Sequence, residues 1–221
     1  MKIYVVGSSK NKFLPLDDIR EKFLIDEKHE GDNIDFLNPW YCELTGLYYL
    51  WKHVDDDIVG LEHYRRYFVN SKNKLLSESE IREILKDNDV ICKKWVFKEH
   101  NETCTLTPWI RGGNLHYLID FVNKIDDIQL KNFINEKLKT NPYLYQCNMF
   151  IAKKEIIDKY CNWFFDICFN LKSIEFKNHD RGIGFIAEAL FGLWLEYNNH
   201  KIISVKTNVY DKNLIKIIPN G

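Results

Sequence analysis

The sequence lacks the features that mark membrane, secreted or nucleic-acid-binding proteins. No apolar run approaches the roughly 20 residues that a membrane span needs. The formal net charge is −1, so the chain lacks the positive footprint expected of a nucleic-acid-binding protein. Met1-Lys2 leads straight into a strand-like run, so we expect no signal peptide. We therefore predict a cytoplasmic protein with no transmembrane span and no nucleic-acid partner.

The cysteines do not form a metal-binding or redox motif. None of the six belongs to a C-x-x-C pair, which argues against zinc-ribbon and thioredoxin-like proteins. Several lie within apolar periodic segments, as reduced core residues of a cytosolic protein do. The six are Cys42, Cys92, Cys104, Cys147, Cys161 and Cys168.

The 221 residues show no internal repeat and no linker-like shift in composition. With 45% hydrophobic and 14% aromatic residues, they suffice for one well-packed domain spanning residues 1–221. Strands and helices alternate along the chain, which predicts an α/β layered fold. The predicted strands are Lys2 to Val6, Asp57 onward, Asp89 to Cys92, Cys147 to Ala152 and Lys201 to Lys206. The predicted helices are Pro39 to His53 with Asn38 as N-cap, one after the Ser77–Glu80 capping box, one from about Asn114, Asp127 to Lys139, Lys154 to Leu171 and Ile183 to Tyr197. We interpret residues 93–113 as a long loop.

The most informative segment runs from Asp57 to Phe68. It begins as an apolar run and then places His63, Arg65 and Arg66 together. Cationic side chains at the end of a core strand suggest an anionic ligand, and the planar N–H fork of arginine makes phosphate the first candidate. Adjacent arginines on a strand point to opposite faces of the sheet. The alternative is therefore that one arginine is solvated and the other pairs with a structural carboxylate.

Three polar clusters follow predicted strands or precede the last helix. They are Gly7-Ser8-Ser9, His63 to Arg66, and His179-Asp180. Ligands of open α/β sheets bind at the carboxyl ends of strands, so the three clusters are expected to meet. The first would hold a nucleoside through backbone N–H groups, the second its phosphates, and the third would supply a carboxylate.

Five blocks, in this order, closely resemble a bacterial domain family found in capsular and exopolysaccharide gene clusters. They are Gly31-Asp32-Asn33-Ile34 with Asn38, Tyr41 to Tyr48, Val59 to Phe68, Asn148 to Ile151, and Gly184 to Glu188. Members of this family look like glycosyltransferases of the GT-A type. The Glu-Leu-Thr and His-Tyr-Arg-Arg-Tyr-Phe blocks carry most of the specificity.

The resemblance implies a GT-A-like α/β/α sandwich with a mixed, mostly parallel central sheet. It further implies a hexosyltransferase that uses a nucleotide-sugar donor, with a UDP-sugar first and galactose or galactofuranose as options. The acceptor would be a glycan or lipid-linked glycan of capsular, exopolysaccharide or lipopolysaccharide synthesis, which is compatible with peripheral contact at the inner face of the membrane. A catalytically degenerate module that binds a nucleotide or glycan is the alternative.

Two departures from the family stand out. The family usually has Glu-Arg-Leu where this chain has Glu188-Ala189-Leu190. The region from Cys104 to His116 also lacks the usual acceptor-side pattern, which suggests a different acceptor or weaker activity.

Many GT-A enzymes hold the diphosphate through an Asp-x-Asp motif and a divalent metal such as Mn or Mg. Asp55-Asp56-Asp57 precedes its strand instead of ending it, so it reads as a solvated turn. We therefore favour neutralisation of the diphosphate by His63, Arg65 and Arg66, with no metal. Metal binding by Glu62 and His63 is the alternative.

The remaining roles also come from the resemblance. Asp180 is the first candidate base and Glu188 the second; the structural alternatives are a first-turn carboxylate and a buried partner of an arginine. Donor contacts are assigned to Gly7, Ser8, Asp32, Asn33 and Glu43, although a Gly-Asp-Asn turn also explains itself by backbone geometry. The acceptor side is assigned to Trp109, Asn148 and His179.

Overall fold

The computed structural model describes residues 1–97, 105–106, 115–171, 181–211 and 213–217. Its main sheet has nine strands, and a second sheet pairs β6 with β7. The strands are β1 Lys2–Gly7, β2 Arg20–Leu24, β3 Ile58–His63, β4 Arg66–Phe68, β5 Val90–Cys92, β6 Lys94–Val96, β7 Tyr143–Tyr145, β8 Phe150–Lys153, β9 Ile202–Ser204, β10 Thr207–Tyr210 and β11 Lys216–Ile217. The helices are α1 Asn38–Tyr41, α2 Leu44–His53, α3 Glu78–Asp87, α4 Leu115–Asn123, α5 Ile128–Thr140, α6 Lys154–Phe169 and α7 Gly182–Tyr197.

Strand β3 lies at the centre of the main sheet. It pairs in parallel with β1 on one side, and on the other it meets β8 and then β4, both antiparallel. Among the described strands, β1, β2, β3, β5, β9 and β10 run in one direction, and β4, β8 and β11 run in the other. The mixed, mostly parallel α/β sheet is therefore confirmed. Since β1 and β3 are parallel neighbours, their carboxyl ends meet at one edge.

Apolar side chains pack on both faces of the sheet and give three layers. The larger core lies between the sheet and helices α2, α4, α5, α6 and α7, and the smaller one lies under α3. Helix α7 is buried on nearly all sides, as its apolar sequence requires. Glu188 is the one ionisable residue among its buried positions. None of the helices described combines the length and apolar character that crossing a bilayer requires.

Most predicted elements are confirmed within a few residues, including the capping box at Ser77 and Glu80. The helix expected from Pro39 to His53 is wrong as a single helix, because Cys42 has a φ of 51° and breaks it into α1 and α2. Asn38 is not an N-cap; Leu37 precedes α1 and no side chain caps it.

The strands β2, β4, β6, β7, β10 and β11 were not predicted. All are short, and an edge strand such as β2 is stabilised by pairing with β1 more than by its own pattern. The predicted loop over residues 93–113 contains β6, and its larger part lies outside the described residues.

Candidate functional site

A cavity of about 650 Å³ opens at the carboxyl edge of β1 and β3. Gly7 ends β1 and His63 ends β3, and both line it. The opposite wall comes from α1, from Glu43 and from the first two turns of α7. The first two predicted polar clusters therefore meet here, as the parallel pairing of β1 and β3 requires.

A tight hairpin brings the cationic side chains into this cavity. His63 pairs with Arg66 across a turn made of Tyr64 and Arg65, a segment that we call the cationic hairpin. The amide of Tyr64 donates to Val6 O at 2.9 Å and the amide of Tyr210 donates to Arg65 O at 2.8 Å, which fixes the turn between β1 and β10.

Both arginines of the cationic hairpin line the cavity. Neither makes a side-chain hydrogen bond or an ion pair within the described part of the chain. The prediction that one of them is solvated on the other face assumed a continuous strand, and the turn removes that assumption. The guanidinium carbon of Arg65 lies 5.7 Å from the Tyr64 ring centroid, and the N–H donors of both guanidinium groups have no acceptor among the described residues. These donors are therefore available to an anion in the cavity.

His63 is a second potential ligand group. Its Nε2 atom is buried and has no hydrogen-bond partner in the part of the chain that the structure describes. Burial lowers the pKa of His63, the Glu43 carboxylate opposes that effect, and the nearby Arg66 and Arg65 lower it further. A neutral imidazole therefore faces the cavity until an anion compensates the arginines.

Asn148 holds Glu43 in place from behind the cavity wall. Its Nδ2 group donates to Glu43 Oε1 at 2.8 Å and to the Gly184 carbonyl at 3.0 Å. Asn148 is only 4% exposed, so it positions Glu43 instead of forming the acceptor surface predicted for it. Glu43 stands at the junction of α1 and α2 and lines the cavity.

Glu188 is a buried carboxylate that still reaches the cavity. It is 9% exposed and accepts a hydrogen bond from the amide of Cys147. Burial raises the pKa of Glu188 to about 8, and the negative Glu43 adds to the rise, whereas Arg66 and Arg181 oppose it. The alternative for Glu188 was a buried structural partner of an arginine. In the described residues Glu188 makes no ion pair with an arginine.

Arg181 was not predicted, although it lies in the polar segment that precedes α7. It lines the cavity, its side chain is exposed, and its Nε donates to Cys42 Sγ at 3.0 Å. Its backbone φ of 59° is left-handed, which turns the chain into α7. The signal in the sequence was an arginine directly before the Gly-x-Gly start of a helix. The neighbouring Asp180 was predicted as the site residue instead.

Other predicted donor residues do not present free groups to the cavity. The amide of Ser8 donates to Asn11 Oδ1 and that of Ser9 to Asp26 Oδ1, both at 2.7 Å, so the turn after β1 contributes no open backbone donor at these positions. Gly7 does line the cavity, and a Cβ there would lie 2.7 Å from the Phe13 ring.

Asp32 and Asn33 lie away from the cavity and hold their own turn together. Asp32 accepts from the Tyr48 hydroxyl at 2.9 Å, and Asn33 donates to the His29 and Gly31 carbonyls. Asp180, His179 and Trp109 lie outside the described residues, so their predicted roles stay predictions.

The residues proposed for a metal do not fit one. Glu62 and His63 are consecutive in β3 and face opposite sides of the sheet. Glu62 is fully buried, binds Arg20 Nε at 2.7 Å and accepts the Phe68 amide at 2.8 Å. Across the described ranges, no three His, Cys, Asp or Glu side chains converge as metal ligands.

The Asp55-Asp56-Asp57 run lies at the amino end of β3, away from the cavity. Asp56 pairs with the terminal amine, and Asp57 binds Arg82 at 2.7 Å. The run is a surface turn, as predicted, and its ion pairs are an additional finding of the structure.

The chain belongs to the family described as a domain of unknown function, DUF4422, whose model matches residues 2–200. Its fold matches that of a bifunctional glycosyltransferase, WbbM, solved in its apo form. The TM-score is 0.76 at 25% sequence identity, over 93% of this chain and 44% of WbbM. The chain thus spans less than half the length of that structure. No curated protein matches the chain significantly.

Proposed function

We propose that the chain transfers a hexosyl unit from a nucleotide-sugar, most simply a UDP-sugar, to a glycan of bacterial surface polysaccharide synthesis. The observation that carries this is the cationic hairpin. It places Arg65, Arg66 and His63 on the wall of a cavity that also holds two carboxylates, and none of the three side chains forms an ion pair within the described residues. A cavity of about 650 Å³ is within the roughly 300–1,000 Å³ range of small-ligand sites. The fold shared with a glycosyltransferase supports the same reaction class.

The reaction needs two kinds of help. The bond from the sugar anomeric carbon to the diphosphate breaks as a bond to the acceptor oxygen forms, and negative charge develops on the departing diphosphate. Arg65, Arg66 and His63 stabilise that charge without reorganisation, because the hairpin already holds them. Glu188 takes the proton from the acceptor hydroxyl, and Asn148 keeps Glu43 fixed beside it.

Calorimetry with UDP, GDP, CMP and their sugar conjugates tests the donor class. We expect UDP and UDP-hexoses to bind, and slow release of free UDP when candidate glycan acceptors are added. Binding without any release under all acceptor conditions would support the nucleotide-binding module instead. Absence of heat and of thermal stabilisation with every nucleotide would contradict the proposal.

A further inference from the structure

We propose that the mouth of this cavity binds an acceptor sugar that carries an anionic group. In this subsite, Arg181 binds the anion, Phe185 packs against the sugar ring and Asn38 binds a ring hydroxyl. The inference rests on the proposed glycosyl transfer and adds the chemical class of its acceptor.

Arg181 presents a fixed, partly unused hydrogen-bonding group. A guanidinium has five N–H donors. The Nε donor is occupied by Cys42 Sγ at 3.0 Å, which anchors the plane, and the terminal nitrogens make no hydrogen bond or ion pair with the described residues. The two terminal N–H pairs of an arginine match the two oxygens of a carboxylate or the oxygens of a phosphate.

Phe185 supplies an apolar face next to this fork. It lies one helical turn after Arg181 on α7, is 36% exposed and lines the cavity. Its ring centroid is 5.9 Å from the Arg181 guanidinium carbon. An exposed aromatic ring beside an arginine favours a ligand with both an apolar face and a negative charge, as a charged sugar has.

Asn38 adds an unsatisfied polar atom on the same wall. Its Oδ1 is buried and has no hydrogen-bond partner among the residues described, and the residue lines the cavity. A buried polar atom without a hydrogen bond is destabilising, and a ligand hydroxyl that reaches it would supply the missing bond. Asn38 and Arg181 are held together because the Arg181 amide donates to the carbonyl of Pro39 at 3.2 Å.

The position of Glu188 assigns this wall to the acceptor instead of the donor. Glu188 lines the cavity together with Arg66 of the cationic hairpin and with Arg181. Arg66 belongs to β4, whereas Arg181 directly precedes α7 and lies two helical turns before Glu188, on the same face of that helix. A base that serves an acceptor hydroxyl must lie between the departing diphosphate and the acceptor, and this arrangement meets that requirement.

Three methyl β-galactosides that differ only at C6 test the inference. They carry a hydroxymethyl group, a carboxylate or a phosphorylated hydroxymethyl group. With a UDP-hexose shown to bind, we expect kcat/KM for at least one anionic acceptor to exceed that of the neutral one by about tenfold or more, as a charge-assisted hydrogen bond would give. Whether carboxylate or phosphate is preferred identifies the source of the charge.

Arg181→Gln should abolish this preference through the KM of the acceptor, and Asn38→Ala should weaken all three acceptors. Arg82→Gln is the matched control, since Arg82 is bound to Asp57 and Glu78 near the other end of the sheet.

Equal use of neutral and anionic acceptors would overturn the inference. So would an Arg181→Gln variant whose donor KM rises as much as its acceptor KM. If no acceptor supports turnover, calorimetry on the UDP-loaded protein decides: no preferential binding of an anionic galactoside overturns the inference, whereas failure of UDP to bind overturns the proposed function itself.

Discussion

At the scale of single residues, Glu188 carries the sharpest consequence. A carboxylic acid with a pKa near 8 is mostly protonated at neutral pH, and a base must be ionised to accept a proton. We therefore expect kcat/KM of the wild type to rise about tenfold per pH unit below pH 8 and to level off above it. Glu188→Gln should remove this pH dependence and lower kcat by roughly 10²–10⁴-fold, the usual contribution of a general base.

The raised pKa of Glu188 also makes the free energy of unfolding depend on pH, and stability should fall with rising pH where activity should increase. Because the folded protein favours protonated Glu188, the stability that this residue contributes is complete at acid pH and is lost as pH rises towards 8. The stability of Glu188→Gln relative to the wild type should therefore be higher at pH 9 than at pH 5, as measured by urea unfolding.

A wild type whose activity is independent of pH, with Glu188→Gln fully active, would exclude Glu188 as the base.

Backbone strain also concentrates around the cavity. Non-glycine residues with positive φ include Cys42, Cys147, Asn148 and Arg181, all in or next to its wall. Each such residue costs of order 1–3 kcal/mol unless its surroundings impose it. The sequence contains no turn signal such as Asn-Gly at these four positions, so this part of the site was not predictable from local pattern.

At the scale of elements, the cationic hairpin links the sequence motif to the site. The motif placed its cationic residues at the end of β3, where they line the cavity, and their role as donor ligands stays a prediction. It did not predict the geometry, because the turn at Tyr64-Arg65 depends on β4 pairing with β10, whose partner residues lie about 140 positions later in the chain. Asn148 and Arg181 depend on tertiary contacts in the same way.

The hairpin arginines should matter for donor binding and not for folding. Arg65→Ala and Arg66→Ala each remove a guanidinium that makes no hydrogen bond with the described protein, so we expect the free energy of unfolding to change by about 0.5 kcal/mol or less. Each should weaken UDP binding by about 10–100-fold, the value of a charge-assisted hydrogen bond, with a loss that shrinks at high salt.

Titration calorimetry at two salt concentrations measures this loss, with Arg82→Ala as a control that keeps the cavity intact. Normal UDP affinity in the Arg65→Ala, Arg66→Ala double variant would place the diphosphate elsewhere.

At the scale of the whole molecule, the two faces of β3 have different roles, since one contributes to the cavity and the other to a buried ion pair. His63 faces the cavity, whereas Glu62 faces the buried pair with Arg20, which also binds Asp17 and the Leu76 carbonyl. Burial raises the pKa of Glu62, and the charge and hydrogen bonds of Arg20 oppose that rise. The pair ties β2, β3 and the segment before α3 together beneath the sheet.

This division predicts that Glu62 contributes to stability and not to metal or donor binding. Glu62→Gln removes the fully buried counter-charge of Arg20 and leaves it only the partly exposed Asp17. We therefore expect a loss of about 3 kcal/mol in the free energy of unfolding, the lower end of the range for breaking a buried ion pair. The double variant Arg20→Met, Glu62→Met should be less destabilised than the single one, because it leaves no buried charge and the carboxylate of Asp17 is partly exposed to water. UDP affinity of the folded fraction should match that of the wild type. A Glu62→Gln variant that unfolds normally but loses Mn²⁺-dependent turnover would instead show that this carboxylate is a metal ligand, and it would replace the arginine-based account of the site.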